Sequence, residues 1–361
     1  MTIYYFGIYD TSGGMESYAK TLIGSVTERH KDIKFHLIVT SQNFSYRSYF
    51  ESIGCEITVL PNPHKHPVKF YNKLLEILRK ADKDSIFQIN AASFRNTPLF
   101  LAAKRSKIKC VVVAHNGQIT SGGLKFLHTF NKKRFKNLGT FVGVSKKASD
   151  FMFDSNSKTT VIPNGIDSEQ YSFNEQKREH IRNEYGIGPN ETVLGQIGRI
   201  CPQKNQIFAI KVFEKLHAKY PNLKLVFVGK EIDSKPKQYA VRKKLVGNGI
   251  IFANEIKQGL SSFYSAIDIS ILPSIDEGCV LALLESLASG LPMFASANIP
   301  PFVGLPYISI ELDEDKWVKE LSKAIDDIQN GKINRSNKIK ETNYTLAKFS
   351  DAYIDLYKSL L

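Results

Sequence analysis

Two carboxylates, Glu277 and Glu285, stand eight positions apart in the stretch EGCVLALLESLASGLP. Pro273 and Gly278 punctuate its entry, Val280 to Ala288 has a helical composition, and Gly290 with Pro292 makes a stop, so the pattern predicts a helix over about 279–289. Glu277 then sits in the loop before the helix, with Glu285 about two turns along, roughly 12 Å away at 1.5 Å per residue. That separation suits an extended ligand. A helix start offers unpaired N–H groups and partial positive charge to a phosphate, while carboxylates repel phosphate and accept from hydroxyls. A second stretch, Gly198-Arg199-Ile200-Cys201-Pro202-Gln203-Lys204-Asn205, follows the apolar run Val193 to Ile197 and sets two cations five residues apart beyond a strand. Ligands of α/β sheets bind outside the carboxyl ends of strands. Two cations, a helix N-terminus and two flanking carboxylates together imply a site for a sugar nucleotide. The cations Arg199 and Lys204 would hold its diphosphate.

Two further candidates come from the first half. Gly13 and Gly14, with Met15 after them, lie between the first apolar run and a helical stretch, where backbone N–H groups can approach an anion closely. No Gly-x-Gly-x-x-Gly fingerprint is present there. His115 and Asn116 follow the run Val111 to Ala114 and emerge at the same carboxyl edge. The remaining histidines, His64 and His66 among them, form no metal-ligand set, so no metal and no cofactor is expected.

These groups need two sheets to position them. With 361 residues, two domains are the prior. In the first half, strands are expected at 3–9, 35–39, 57–60, 86–89, 111–114 and 140–144, with helices near 14–29, 45–53, 67–81, 96–106, 124–137 and 146–153. In the second, strands fall at 193–197, 224–228, 249–252, 268–272 and 293–296, with helices near 175–185, 205–220, 237–246, 259–265 and 279–289. Alternation of this kind means an α/β chain with two doubly wound, Rossmann-like domains. The boundary is placed near Asn164 to Gln170, where Pro163 and Gly165 break the pattern, giving domains of 1–167 and 168–345. A final helix of about 346–360 carries Phe349, Tyr353, Leu356, Tyr357 and Leu360 on one side.

Composition narrows the class. Hydrophobic residues make up 42% and charged residues 23%, which is ordinary for a globular protein and argues against disorder. Cys55, Cys110, Cys201 and Cys279 are widely spaced, so reduced thiols and a cytoplasmic setting are expected. MTIYYFGIYD reads as a first strand rather than a signal peptide, and no run approaches the roughly 20 apolar residues of a membrane span. Charge is uneven: residues 1–160 hold 24 Lys and Arg against 11 Asp and Glu, a balance of +13 out of the whole chain's +14. Part of that excess lies in LKFLHTFNKKRFKNL, where Leu124, Leu127, Phe130, Phe135 and Leu138 recur at about helical spacing among Lys132, Lys133, Arg134 and Lys136. Such a helix either packs in the core with a solvated basic face or lies on an anionic membrane. The excess over the whole half favours an acidic partner such as the inner face of a membrane.

The motifs resemble those of the retaining glycosyltransferases of family 4. Glu277 to Glu285 matches the family's Glu-x7-Glu motif, and Arg199 with Lys204 its Gly-Arg-x-x-x-x-Lys signature. Gly13-Gly14, His115, Val144-Ser145, Ile162 to Asp167 and Phe227-Val228-Gly229 follow the family's order over nearly the whole chain. Asn116 stands where the family often has Asp, and Cys279 where a larger apolar residue is common. The resemblance implies a GT-B fold, two Rossmann-like domains facing a cleft, with the C-terminal helix crossing back to an acceptor-binding first domain. It assigns Glu277 to the donor sugar, Glu285 to the ribose, His115 to the sugar near its reacting carbon, and Gly278, Cys279, Val280 and Leu281 to diphosphate contacts. Gly13 and Gly14 would lie by the diphosphate, with Gly14, Met15 and Asn116 toward the acceptor. Asp313 to Trp317 looks like the closing segment of exopolysaccharide and capsule transferases, which extend lipid-linked oligosaccharides. The implied activity is metal-independent transfer of a hexose, UDP-linked, to a saccharide acceptor with retention, by front-face transfer or double displacement. A sugar-nucleotide epimerase of similar fold and a non-enzymatic basic polymer-binding protein are the alternatives. No aromatic-interleaved nucleic-acid motif is present, so nucleic acid is not an expected partner.

Overall fold

Short apolar runs alternate with amphipathic ones, and in the computed structural model each run becomes a strand or a helix of one of two units. Residues 1–10, 14–115, 122–154, 157–254, 256, 259–277, 281–299, 304–332 and 334–361 are described, with the backbone alone for 122–124. The units are Met1–Gly165 with Leu346–Leu361, and Ile166–Thr345.

The first unit runs β1 (Thr2–Phe6), α1 (Gly14–Arg29), β2 (Lys34–Val39), α2 (Arg47–Ser52), β3 (Glu56–Val59), α3 (Pro67–Arg79), β4 (Ile86–Ala91), α4 (Thr97–Ser106), β5 (Lys109–Ala114), α5 (Gly122–Arg134), β6 (Thr140–Gly143), α6 (Lys146–Met152) and β7 (Thr159–Val161). Its strands are parallel in the order β3-β2-β1-β4-β5-β6-β7. Strand order therefore reverses between β1 and β4, the switch point where loops diverge and leave a crevice. β4 is buried at every position, although Gln88 and Asn90 lie within it.

The second unit runs α7 (Glu175–Glu184), β8 (Thr192–Ile197), a 3-10 turn (Pro202–Lys204), α8 (Gln206–Lys219), β9 (Leu223–Val228), α9 (Lys235–Arg242), β10 (Ile250–Ala253), α10 (Leu260–Ala266), β11 (Ile269–Leu272), α11 (Leu281–Ala288), β12 (Met293–Ser296), β13 (Ile308–Ile310) and α12 (Glu314–Gln329). Its parallel order β10-β9-β8-β11-β12-β13 repeats the plan, with the switch between β8 and β11. Asp268 ties this unit together at the start of β11. Its carboxylate takes Arg178 Nη2 and Arg182 Nη2, each at 2.7 Å, and the Val193 N–H at 2.8 Å.

The last helix, α13 (Leu346–Ser359), belongs to the first unit. Tyr357 donates to Gln88 Oε1 at 2.5 Å, Tyr18 donates to Tyr353, and Arg29 pairs with Asp351 at 2.8 Å. Buried aromatic side chains and two buried hydroxyl contacts thus fasten α13 to α1 and β4.

Three elements lie outside the sequence expectation. β7 and β13 are three-residue strands, each the last strand on one side of its sheet and largely exposed, so no apolar run marks them. α12 is amphipathic through Trp317, Leu321, Ala324 and Ile325, capped by Asp313 accepting from the Lys316 N–H at 2.9 Å; the expectation had taken only its first turn, as a family segment.

α5 corrects the core-packed alternative, because most of its described apolar residues face outward. Phe126, Leu127 and Phe130 are 76%, 37% and 57% exposed, whereas Phe135 is buried beyond the helix end; the Leu124 side chain lies outside the described residues. The side turned inward carries His128 and Asn131. His128 Nδ1 accepts from the Phe94 N–H at 3.1 Å, and Asn131 Nδ2 donates to Phe94 O and Thr97 Oγ1, both at 2.8 Å. A buried loop needs its backbone groups paired, and these two side chains do it, which turns the helix's apolar residues outward.

Removing Asp268 should be severe, because Arg178 and Arg182 would keep their charges with no counter-charge. Asp268→Ala is expected to lower unfolding free energy by about 3–5 kcal/mol, read from denaturant titration; a loss below about 1 kcal/mol would mean the pair behaves as a surface contact.

Candidate active site

At the switch point of the second unit, the loops after β8 and β11 meet. Gly198 leaves β8 at φ 146°, in the region that favours glycine, and a Cβ there would lie 3.3 Å from Lys204 Cε. Gly229, φ 147°, brings the loop after β9 so close that a Cβ would stand 2.2 Å from Gly198 O. Three glutamines then stiffen the cation loop: Gln196 Nε2 donates to Lys204 O at 2.6 Å, Gln206 Nε2 to Arg199 O at 2.9 Å, and Gln203 Nε2 to Asp276 O at 2.8 Å. The last bond, with the Ile275 N–H donating to Gln203 O at 2.9 Å, laces the two loops together.

The lacing brings Lys204 Nζ to 2.7 Å from Glu277 Oε1, with the side chains only 14% and 6% exposed. The two charges therefore neutralise each other in a buried contact. Gln196 Oε1, near the end of β8, and Ser274 Oγ, on the loop after β11, are buried with no hydrogen-bond partner among the described residues. Buried polar atoms are nearly always paired, so two unpaired ones beside a buried ion pair at a switch point mark a place for hydroxyl-bearing chemistry. Arg199 is exposed and in no ion pair among the described residues.

Glu285 is partly buried in α11, where the Tyr264 and Tyr171 hydroxyls donate to it. Burial raises its pKa, while those two hydroxyls and the Lys204 charge pull the other way. Leu281 is the first residue of α11 and is partly buried. Gly278, Cys279 and Val280 lie outside the described residues, as do Gly13 and Asn116.

In the first unit, His115 is buried just beyond β5, its Nε2 3.1 Å from Asn90 Oδ1. Asn90 Nδ2 donates to Phe6 O at 3.3 Å, which points Oδ1 at the imidazole and so places the ring proton on Nε2. Burial pushes the His115 pKa down to about 3, so the ring is neutral and Nδ1 is an acceptor. Asn90 also lines a pocket of about 670 Å³ at the switch between β1 and β4, with Tyr9, Asp10, Asn62, Lys65, Arg95 and Asn96 among its walls. Gly14 and Met15 open α1 and do not line it. Arg199, Lys204, Glu277 and Glu285 thus share one region of the second unit, with His115 in the first. Sequence reasoning missed Gln196, Gln203, Gln206, Tyr264 and Asn90; Gln196 and Asn90 were visible as polar residues near the ends of apolar strands.

Residues 177–344 match the model of the glycosyl transferases group 1, and residues 12–170 that of glycosyltransferase family 4. HepE of Anabaena, crystallised with UDP and glucose, superposes with a TM-score of 0.79 at 16% identity, covering 99% of this chain and 100% of its own. EpsF of Bacillus subtilis, which carries a glycosyltransferase name, is 22% identical over 86% of this chain and 84% of its own length. The UDP-Gal:alpha-D-GlcNAc-diphosphoundecaprenol alpha-1,3-galactosyltransferase of Escherichia coli is 27% identical over 55% of this chain and 54% of its own. The chain spans about half the length of some curated relatives it matches, 49% and 54% in two of them. Two Rossmann-like units carrying these motifs define a GT-B protein. The chain belongs to the glycosyltransferases whose two halves the family 4 and group 1 models describe.

If Lys204 and Glu277 hold each other's charge, Lys204→Met and Glu277→Gln should each cost about 3 kcal/mol or more, and the double variant clearly less than their sum. Additive losses in thermal or denaturant unfolding would show that the two do not sense each other. His115 predicts a pH effect. The unfolded chain takes a proton near pH 6.5 and the folded one near 3, so the unfolded state binds more protons between them and stability falls as pH drops through that window. His115→Asn is expected to flatten this slope by up to about 1.4 kcal/mol per pH unit; parallel profiles would contradict it.

Proposed function

We propose that this chain transfers a hexose from a nucleotide sugar, UDP-linked, to a saccharide acceptor with retention of anomeric configuration and without a metal ion. The second unit takes the nucleotide sugar and the first the acceptor. The buried Lys204–Glu277 pair at a switch point, with two buried oxygens beside it that lack hydrogen-bond partners, Gln196 Oε1 and Ser274 Oγ, carries this reading. These oxygens suit a ligand that brings hydroxyls, while Arg199 and Lys204 suit its diphosphate.

The chemistry then needs little more. The bond from the anomeric carbon to the β-phosphate oxygen breaks, and its electron pair stays on that oxygen. Arg199 and Lys204 stabilise this charge more in the transition state than in the ground state, the role a divalent metal plays elsewhere. The acceptor oxygen bonds to the same face of the carbon, and its proton passes to the departing phosphate. Glu277 leaves Lys204 to the phosphate and accepts from sugar hydroxyls, and Glu285, already an acceptor for two tyrosine hydroxyls, accepts from the ribose. His115, neutral, presents Nδ1 as an acceptor for a sugar hydroxyl. Gly13, Gly14, Gly278, Cys279, Val280 and Leu281 supply backbone N–H contacts, and Met15 and Asn116 lie toward the acceptor.

The acceptor is a lipid-linked saccharide of exopolysaccharide or capsule synthesis. Support comes from the basic first unit and from the E. coli relative, whose name gives a sugar on diphosphoundecaprenol. Among the described residues no helix is long and apolar enough to cross a membrane, and we place the chain peripherally on the inner face of the cell membrane.

UDP-glucose, UDP-galactose, UDP-N-acetylglucosamine and a GDP-sugar, each with chelator present, provide the test. One UDP-sugar should be hydrolysed slowly and transferred with its anomeric configuration kept, seen by NMR, and Arg199→Ala should lower kcat/KM by about 10²–10³. No turnover of any donor, restoration only by added metal, or an inverted product would each remove the corresponding part of the proposal.

A further inference from the structure

The pocket of the first unit and the outward face of α5 share a residue. Leu127 lines the pocket, and Phe126 and Phe130, four residues apart on the same helix, lie on its solvent side. Pocket and helix are also joined mechanically, since His128 and Asn131 of α5 bond the backbone of Phe94, next to Arg95 in the pocket wall.

The two surfaces differ in chemistry. Asn62 and Asn96, whose Oδ1 atoms accept from the backbone N–H groups of His64, Lys65 and Leu99, line the pocket and keep their amide N–H groups for a ligand, with Asp10 as an acceptor and Lys65 and Arg95 as cations. Arg95 spends its Nε on Ser93 Oγ at 2.8 Å and has no carboxylate partner among the described residues. The helix face offers two exposed phenyl rings flanked by Lys125, Lys133 and Arg134, none of them paired with a carboxylate among the described residues. A free saccharide would fill the pocket and leave Phe126 and Phe130 in water. A bare lipid surface would cover the rings and leave the carboxamides unused. One kind of molecule uses both: a hydroxylated, anionic head group joined to an apolar chain.

We propose that the pocket at the β1–β4 switch and the Phe126–Leu127–Phe130 face of α5 form a single site for an amphiphile. Its head lies among Asn62, Asn96 and Arg95, and its chain leaves past Leu127 along the two phenylalanines. The inference rests on the transferase reading in that the amphiphile is the acceptor, and it makes the apolar chain part of what the protein recognises rather than a passive tether. The cations on α5 face the anionic groups of the surrounding lipid.

Calorimetry on the whole chain, with UDP present to occupy the nucleotide site, would compare farnesyl diphosphate, inorganic pyrophosphate and farnesol. Farnesyl diphosphate should bind at least about 100-fold more tightly than either half alone, since two phenyl rings and a chain leave water together. The double variant Phe126→Ser/Phe130→Ser, both positions being on the surface, should bring it down to the pyrophosphate level. Arg95→Ala should weaken it by about tenfold. Equal binding of farnesyl diphosphate and pyrophosphate, or wild-type affinity in the phenylalanine variant, would overturn the site. Affinity unchanged by Arg95→Ala would remove the head group from this pocket. UDP-sugar hydrolysis by the wild type, measured on the same sample, separates the two readings. Hydrolysis without amphiphile binding defeats this inference alone, and amphiphile binding without hydrolysis defeats the transferase reading alone.

Discussion

The ammonium of Lys204 and the carboxylate of Glu277 are held against each other where little water reaches them. Charges so placed are tolerated only in pairs. The loop that carries Lys204 is folded back by Gln196 and Gln206 and laced to the neighbouring loop by Gln203, and it has room because Gly198 and Gly229 have no side chain. A parallel sheet covered on both faces leaves its strands no other place to present polar groups than the loops past their carboxyl ends.

The same constraint acts in the first unit with different chemistry. Its switch-point loops carry carboxamides, Tyr9, Asp10 and Arg95 instead of a buried ion pair, and Asn90 connects that wall to His115. One topology is used twice, and the side chains at the two reversals divide the tasks. The electrostatics divide as well: the positive balance lies almost wholly in the first half, while the cations of the second are matched by nearly as many carboxylates.

Much of this was readable from residues. β4, β5, β8 and β9 are near-continuous apolar runs, because both faces of a central parallel strand are buried, and such runs stand out. The pairing of Arg199 and Lys204 with a post-strand loop and of Glu277 with a helix entry was readable through spacing. What spacing could not show is that Lys204 and Glu277, 73 positions apart, would touch, or that Tyr264 would reach Glu285. Those contacts come from strand order, which no local pattern encodes. The core-packed alternative for α5 failed for another reason. Hydrophobic periodicity assumes that apolar residues turn inward, and here the backbone of Phe94 recruits His128 and Asn131 instead, so polar demand at a loop overrode the periodic signal.

The closing helix has a consequence for how the chain is made. α13 supplies Tyr353, Tyr357 and Phe349 to the core of the first unit, yet Ile166–Thr345 intervenes before it is synthesised. Gln88 and Tyr18, buried in the finished unit, must wait for their partners on α13. At roughly 5–20 residues per second the delay is on the order of ten to forty seconds. During translation the second unit, continuous in sequence, can therefore complete itself first, and the N-terminal half leaves the ribosome as the one that needs protection.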